Sequence, residues 1–228
     1  MEKLCVIFGA GDTYSPRTKY GCNDLIIAAD GGYKTAARFN IEPSVIIGDF
    51  DSSDMPEGTP AHIVKLNRDK DDTDTLAAVK LGLRRGYATF VIYGGVGGRL
   101  DHTVANIATL AYLNAFGARG FLIDKDSVAT VITDDKLVLP ASARGTVSVF
   151  AYGGVASGVT LKNLKFPLDN AELTPEFPLG VSNAVGEIAP SKSEKIIEFD
   201  NISKKPTAAK GRAEISVKHG SLLIFFPR

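Results

Sequence analysis

From Leu4 to about residue 133, short unbroken apolar runs alternate with longer stretches in which apolar residues recur every three or four positions. The runs are LCVIF at 4–8, LIIAA at 25–29, VIIGDF at 45–50, FVIYG at 90–94 and GFLID at 120–124. Runs of this length predict strands buried on both faces, and their alternation with helical stretches predicts a parallel sheet covered by helices. One helix is expected from Asp72 to Arg85, with Leu76, Val79 and Leu83 facing inward and Gly86 as its stop. A second is expected from Asp101 to Phe116, with Val104, Ile107 and Ala111 inward and Gly117 as its stop. Past residue 134 the helical period disappears, and KLVLP, TVSVFAY, GVTLKNL, IIEF, AEISV and SLLIFF read as short strands broken by Gly, Pro and Asn. The expected architecture is α/β: a Rossmann-like parallel-sheet domain over 1–134, then an all-β sandwich domain over 135–228. Residues 189–211, polar and Lys-rich around one apolar run, read as a long hairpin excursion or a loop.

Composition narrows the partners. Of 228 residues, 44% are hydrophobic, enough for one large core or two modest ones. Lys plus Arg equals Asp plus Glu at 26 each, so there is no broad basic field for nucleic acid or an anionic membrane surface, and a small ligand is expected. Cys5 lies inside an apolar run, where a buried thiol is the ordinary reading, and two cysteines cannot form a multi-disulfide framework. The apolar run after Met1 is too short for the core of a signal peptide, and no segment approaches the roughly 20 apolar residues of a membrane span. A soluble, cytoplasmic protein is expected.

Candidate chemistry gathers where strands should end. In parallel α/β sheets ligands collect outside the carboxyl ends of the strands. There the sequence places Asp30 in AADGG (28–32), Asp49 and Asp51 in GDFDS (48–52), and the Gly94–Gly98 segment that leads into GGRLDH (97–102). KDDTD (70–74) opens the first long helix, with Asp69 just before it. Two carboxylates about 4 Å apart repel by roughly 4 kcal/mol at an effective dielectric near 20, so convergence of these acids calls for a hard cation, and Mg²⁺ usually arrives with phosphates. In extended geometry Asp49 and Asp51 would point to the same side; the ordinary alternative is a turn in which Asp51 bonds its own backbone. Asp71 or Asp72 could be an N-cap and Asp74 a first-turn acid, which accounts for one or two of the group but not for all. Gly94, Gly95 and Gly98 would let backbone N–H groups approach a phosphate at a helix N-terminus, with Arg99 as a charged donor beside Asp101. FGAGD at 8–12 lacks the third glycine of a dinucleotide fingerprint and is set aside as a cofactor motif. His102 has no matching ligand spacing and reads as a helix-start residue, and there is no G-x-S-x-G elbow for a hydrolase.

Taken in order, AADGG, GDFDS, the KDDTD segment, GGRLDH and the later pair Ser182–Asn183 resemble thiamine pyrophosphokinases along nearly the whole chain. The resemblance implies transfer of a diphosphoryl group from ATP to the hydroxyl of thiamine, giving thiamine diphosphate and AMP. It also implies a homodimer with active sites between subunits. By similarity, Asp49, Asp51, Asp71 and Asp74 would hold Mg²⁺ and the ATP phosphates. Asp30, Gly31, Gly94, Gly95, Gly98, Arg99 and Asp101 would form the ATP site, with Asp71, Asp74, Arg99 and Asp101 acting in catalysis. Ser182 and Asn183 would lie near thiamine. With no tryptophan in the chain, aromatic packing against thiamine would fall to Phe or Tyr. Two other readings fit the acidic set: a Mg²⁺-dependent phosphotransferase acting on another alcohol, and a nucleotide- or thiamine-binding module without turnover.

Overall fold

A computed structural model describes residues 3–16, 20–50, 58–67, 71–185 and 211–228. The chain divides into two compact units, Met1–Lys125 and Asp126–Arg228.

In the first unit the strands are β1 (Leu4–Phe8), β2 (Leu25–Ala29), β3 (Val45–Gly48), β4 (His62–Lys65), β5 (Thr89–Tyr93) and β6 (Arg119–Ile123). They form parallel pairs in the order β4-β3-β2-β1-β5-β6. Five are the apolar runs of the sequence, and β1, β3 and β5 are buried along their whole length. Cys5 is fully buried in β1, and burial pushes its thiol pKa well up, so it stays protonated and inert. The strand without a sequence forecast, β4, is four residues long and only partly buried, as an edge strand can be.

Helices α1 (Gly32–Ala37), α2 (Asp74–Arg84) and α3 (Leu100–Ala115) complete the unit. The forecast face of α2 is rotated: Ala77, Ala78, Val79 and Gly82 are the buried residues. Small residues take the inward positions because the helix lies close to the sheet. A Cβ added at Gly82 would come within 2.5 Å of the Phe90 ring and 2.8 Å of the Cys5 sulfur. Gly82→Ala is therefore expected to cost about 1–3 kcal/mol through overpacking. Calorimetry should show a thermal midpoint lowered by several degrees, and an unchanged midpoint would mean that α2 does not depend on this contact. For α3 the forecast also needs correction. Its buried residues are Asn106, Thr109, Leu110 and Leu113, while Val104 is 59% exposed. Two of the inward residues are polar and so broke the apolar pattern, yet both are satisfied. Asn106 donates to the Gly95 carbonyl at 2.8 Å and Thr109 to the Ala105 carbonyl at 3.0 Å.

The second unit contains β7 (Ser127–Thr133), β8 (Lys136–Val138), β9 (Gly145–Lys162), β10 (Leu168–Leu173), β11 (Gly180–Val185), β12 (Glu214–Ser216) and β13 (His219–Pro227), all in antiparallel pairs. TVSVFAY and GVTLKNL are not two strands but one 18-residue strand, β9, along which β13, β12, β10 and β11 pair. Residues 127–133, grouped with the first domain in the sequence reading, form β7 and pair with β13. Only residues 124–126 separate β6 from β7, too few for the helical crossover that another parallel strand requires. IIEF and the expected excursion, up to residue 210, lie outside the described residues. Among the described residues no helix is long and apolar enough to cross a membrane.

Candidate active site

Because β1, β2, β3 and β5 are parallel, their carboxyl ends lie along one edge of the sheet. The strand order reverses between β1 and β5, the position where open α/β sheets form a crevice. The rings of Phe8 and Tyr93, the last residues of these two strands, stack 5.3 Å apart beneath it. Above them the loops of the two strands clasp each other through backbone. Gly9 N donates to Tyr93 O at 2.8 Å, Gly11 N to Gly94 O at 2.9 Å and Asp12 N to Val96 O at 2.9 Å. The FGAGD segment set aside from sequence thus supports the Gly94–Gly98 loop. A Cβ at Gly9 or Gly11 would strike the backbone of that loop, and one at Gly97 would strike the Asp12 carboxylate. The other side of the loop is held by Asn106 through the Gly95 carbonyl.

Asp30 follows β2 with a left-handed backbone, φ 48°, and its N–H is bonded to Ile47 O at 2.8 Å. Gly48 lets it approach, since a Cβ there would meet the Asp30 Cα at 3.1 Å. Strand β3 ends at Gly48, and Phe50 takes φ 56°. A bulky residue in that region is uncommon and marks a backbone held against its preference. The left-handed Phe50 therefore breaks the extended run expected to align Asp49 with Asp51, and Asp51 lies outside the described residues. Asp69 also lies outside them. At the start of α2 the N-cap is neither Asp71 nor Asp72 but Thr73, whose hydroxyl accepts from Leu76 N at 3.1 Å. Asp71 is exposed and Asp74 half-buried in the first turn. Asp72 turns to Lys80, whose ammonium donates to both of its oxygens at 2.6 and 2.7 Å. That bond pushes the Lys80 pKa up. Among the described residues no three His, Cys, Asp or Glu side chains stand close enough to hold a metal ion.

Helix α3 opens with Arg99 in the N-cap position, but without a side-chain cap. Its guanidinium instead forks onto Asp101, with Nε to Oδ1 at 3.1 Å and Nη2 to Oδ2 at 2.6 Å. The hydrogen bond from Arg99 and the N–H of His102 hold the Asp101 carboxyl below its ordinary pKa. Both side chains are more than half exposed, so the pair is weakly held and Arg99 can exchange its partner for another oxyanion. A cleft of about 360 Å³ lined by Tyr33, Ala37, Ile41, Pro43 and Ile46 includes none of these candidates.

In the second unit Ser182 and Asn183 face opposite ways. Ser182 is exposed, with φ 57°, and its N–H donates to Ser148 Oγ at 3.1 Å. Asn183 is 3% exposed. Its Oδ1 accepts from the N–H groups of Phe166 and Ala184 at 2.9 and 2.8 Å, and its Nδ2 donates to Phe166 O at 2.7 Å. The Asn183 amide thus fixes the backbone of Phe166, a residue that is 57% exposed.

Comparison with known proteins covers both units. The model of the thiamin pyrophosphokinase catalytic domain matches residues 19–122, and that of the thiamin pyrophosphokinase vitamin B1 binding domain matches 135–200. The chain belongs to the thiamin pyrophosphokinase family. Asp30, Asp49, Asp51, Asp71, Asp74, Arg99 and Asp101 fall inside the range matched by the family's catalytic domain, and Ser182 and Asn183 inside that of its B1 binding domain. A curated thiamine pyrophosphokinase of Bacillus subtilis (strain 168) is 28% identical over 167 residues, spanning 70% of this chain and 77% of its own. The crystal structure of the thiamine pyrophosphokinase from Bacillus subtilis superposes with a TM-score of 0.77 at 22% identity over 99% of both chains. That of the Candida albicans thiamin pyrophosphokinase gives 0.70 at 14% identity over 99% of this chain and 89% of its own. At these identities the superpositions establish the fold that the family models share.

Proposed function

We infer that the chain is a thiamine diphosphokinase, moving the diphosphoryl group of ATP to the hydroxyl of thiamine and releasing AMP. The observation that carries this is the match, in order along one chain, of a catalytic and a vitamin B1 binding domain of the same family. The first unit is read as Rossmann-like and the second as a β-sandwich.

In the reaction the thiamine hydroxyl oxygen bonds to the β-phosphorus, the bond from that phosphorus to the α–β bridging oxygen breaks, and AMP leaves. Such transfers ask a protein mainly for positioning and charge stabilisation. Asp30 and Gly31 at the end of β2, with Gly94, Gly95 and Gly98 after β5, are proposed to receive ATP; the glycines stand at the switch point and the β2 pair one strand away on the same edge, which supports this. Arg99, released from Asp101, would stabilise charge on the transferred group. Asp49, Asp51, Asp71 and Asp74 would hold Mg²⁺. They offer only carboxylate oxygens, a hard donor set that fits this ion, which commonly takes one or two carboxylates beside substrate phosphates. When bound, Mg²⁺ neutralises triphosphate charge. The hydroxyl proton would pass to Asp71 or Asp101. Near thiamine, the outward Ser182 is a direct contact, whereas the buried Asn183 acts through Phe166. A homodimer with sites between subunits completes the reading, and light scattering that gave a monomer at micromolar concentration would count against it.

The test is incubation of the purified protein with ATP, Mg²⁺ and thiamine, with the nucleotides resolved by chromatography. AMP is expected in step with thiamine diphosphate, and chelation should abolish both. ADP instead, or no thiamine-dependent product, would refute the assignment.

A further inference from the structure

Strand β11 does not run evenly against β9. Gly180 pairs with Val149 and Asn183 with Val147, so two residues, Val181 and Ser182, stand opposite the single residue Ser148. This is a β-bulge, a device that re-aims side chains and is common beside functional sites. Neighbours in an even strand face opposite ways, whereas here both Val181 and Ser182 are exposed, between the buried Gly180 and Asn183. Both flanks are fixed. A Cβ at Gly180 would strike the Val149 carbonyl oxygen, so the two strands touch there, and Asn183 is held by its bonds to the backbone of Phe166. A bulge leaves backbone groups without ladder partners, and each must be satisfied elsewhere. The Val181 N–H turns back to the Pro178 carbonyl at 3.3 Å, and the Ser182 N–H goes to Ser148 Oγ at 3.1 Å. Ser182 holds φ 57°, a region that a residue other than glycine adopts when its surroundings fix it there. The Ser148 hydroxyl is the side-chain group that meets this peptide.

We propose that Ser148 is a positioning residue for the acceptor alcohol: its hydroxyl holds the Ser182 peptide in the left-handed bulge and so aims the Ser182 side chain at thiamine. The proposal rests on the assignment of Ser182 as a thiamine contact. Without that hydroxyl the Ser182 N–H turns to water, the peptide is free to rotate and the side chain loses its aim.

Thr and Val have nearly the same shape and differ in the hydroxyl, so Ser148→Thr and Ser148→Val compare that group alone. Thiamine affinity is measured by equilibrium dialysis on the full chain, beside steady-state AMP formation. Ser148→Val is expected to raise both the Kd and the KM for thiamine about fivefold, the effect of one ordinary hydrogen bond. KM for ATP should stay within about twofold of wild type, and Ser148→Thr should behave as wild type. The thermal midpoint of Ser148→Val should fall by no more than about 4 °C, since water takes up the exposed N–H. A general loss of order would lower it further and raise both KM values. Ser182→Ala should weaken thiamine binding by a similar factor, and Ser148→Val/Ser182→Ala should be no weaker than Ser182→Ala, because nothing is left to aim. Ser148→Ala carries the same expected loss if Ser148→Val does not fold. Unchanged thiamine affinity in the folded Ser148 variant overturns the proposal, as does an equal rise in KM for ATP or a double variant in which the two losses multiply. Wild-type affinity in Ser182→Ala would remove the Ser182 contact and the proposal with it. A wild-type protein that binds thiamine but makes no thiamine-dependent AMP would instead overturn the assigned reaction, and the dialysis series would still judge Ser148.

Discussion

Gly94→Ala is expected to damage both stability and turnover. Gly94 has φ 65°, where an L side chain costs about 1–2 kcal/mol. The added Cβ would also meet the carbonyl oxygen of Gly9, with the Gly9 carbon at 2.9 Å and Thr13 Oγ1 at 2.8 Å. Two of these atoms are backbone of the facing loop and cannot rotate away, so a further 1–3 kcal/mol or so of overpacking is expected. Together these should lower the thermal midpoint by roughly 10 °C for a chain of this size. Relief requires the two loops to part, breaking the bond from Gly11 N to Gly94 O. AMP formation should therefore fall even at temperatures where the variant remains folded. Calorimetry and the chromatographic assay check both parts, and a midpoint within about two degrees of wild type would show that the loops are not locked.

Asp74→Asn should behave in the opposite way, with activity lost and fold kept. The N-cap is Thr73, so the helix start survives, and the first-turn charge that the substitution removes is worth about 0.3–1 kcal/mol. If Asp74 holds the cation against the triphosphate, kcat should drop on the order of a hundred- to a thousandfold, the range seen when one charge-stabilising group is removed from a transition state. The Mg²⁺ concentration for half-maximal rate should rise with it. Initial rates across a Mg²⁺ series decide the matter, and wild-type turnover would remove Asp74 from the site.

The parallel sheet was legible because β1, β2, β3, β5 and β6 are buried enough to read as unbroken apolar runs. Helix faces were not, because the inward positions of α2 include Ala and Gly and those of α3 include Asn106 and Thr109. Close approach and a satisfied hydrogen bond replace hydrophobicity there, and neither carries a period that a pattern can report. LDNAEL and GVSNAV, which form β10 and β11, have too few buried residues to announce themselves as strands. At the site, the positions of Asp30, Arg99 and Asp101 followed from where strands end and helices begin. The roles of Asp72 and Asn183 did not, since a partner eight residues along a helix or seventeen along the chain leaves no local signature.

Strand β13 pairs with β7 on one side and β9 on the other, yet it is the last strand described in the chain. A growing polypeptide would have made β7 and the whole of β9 before their common partner existed. Sheet formation in the second unit is therefore set by loop closure across almost its full length, a slow class of contact. The strands of the first unit, by contrast, are all present once Ile123 has been made. During synthesis the second unit should be the part that waits, with the apolar edges of β7 and β9 open to chaperones until residues 219–227 arrive.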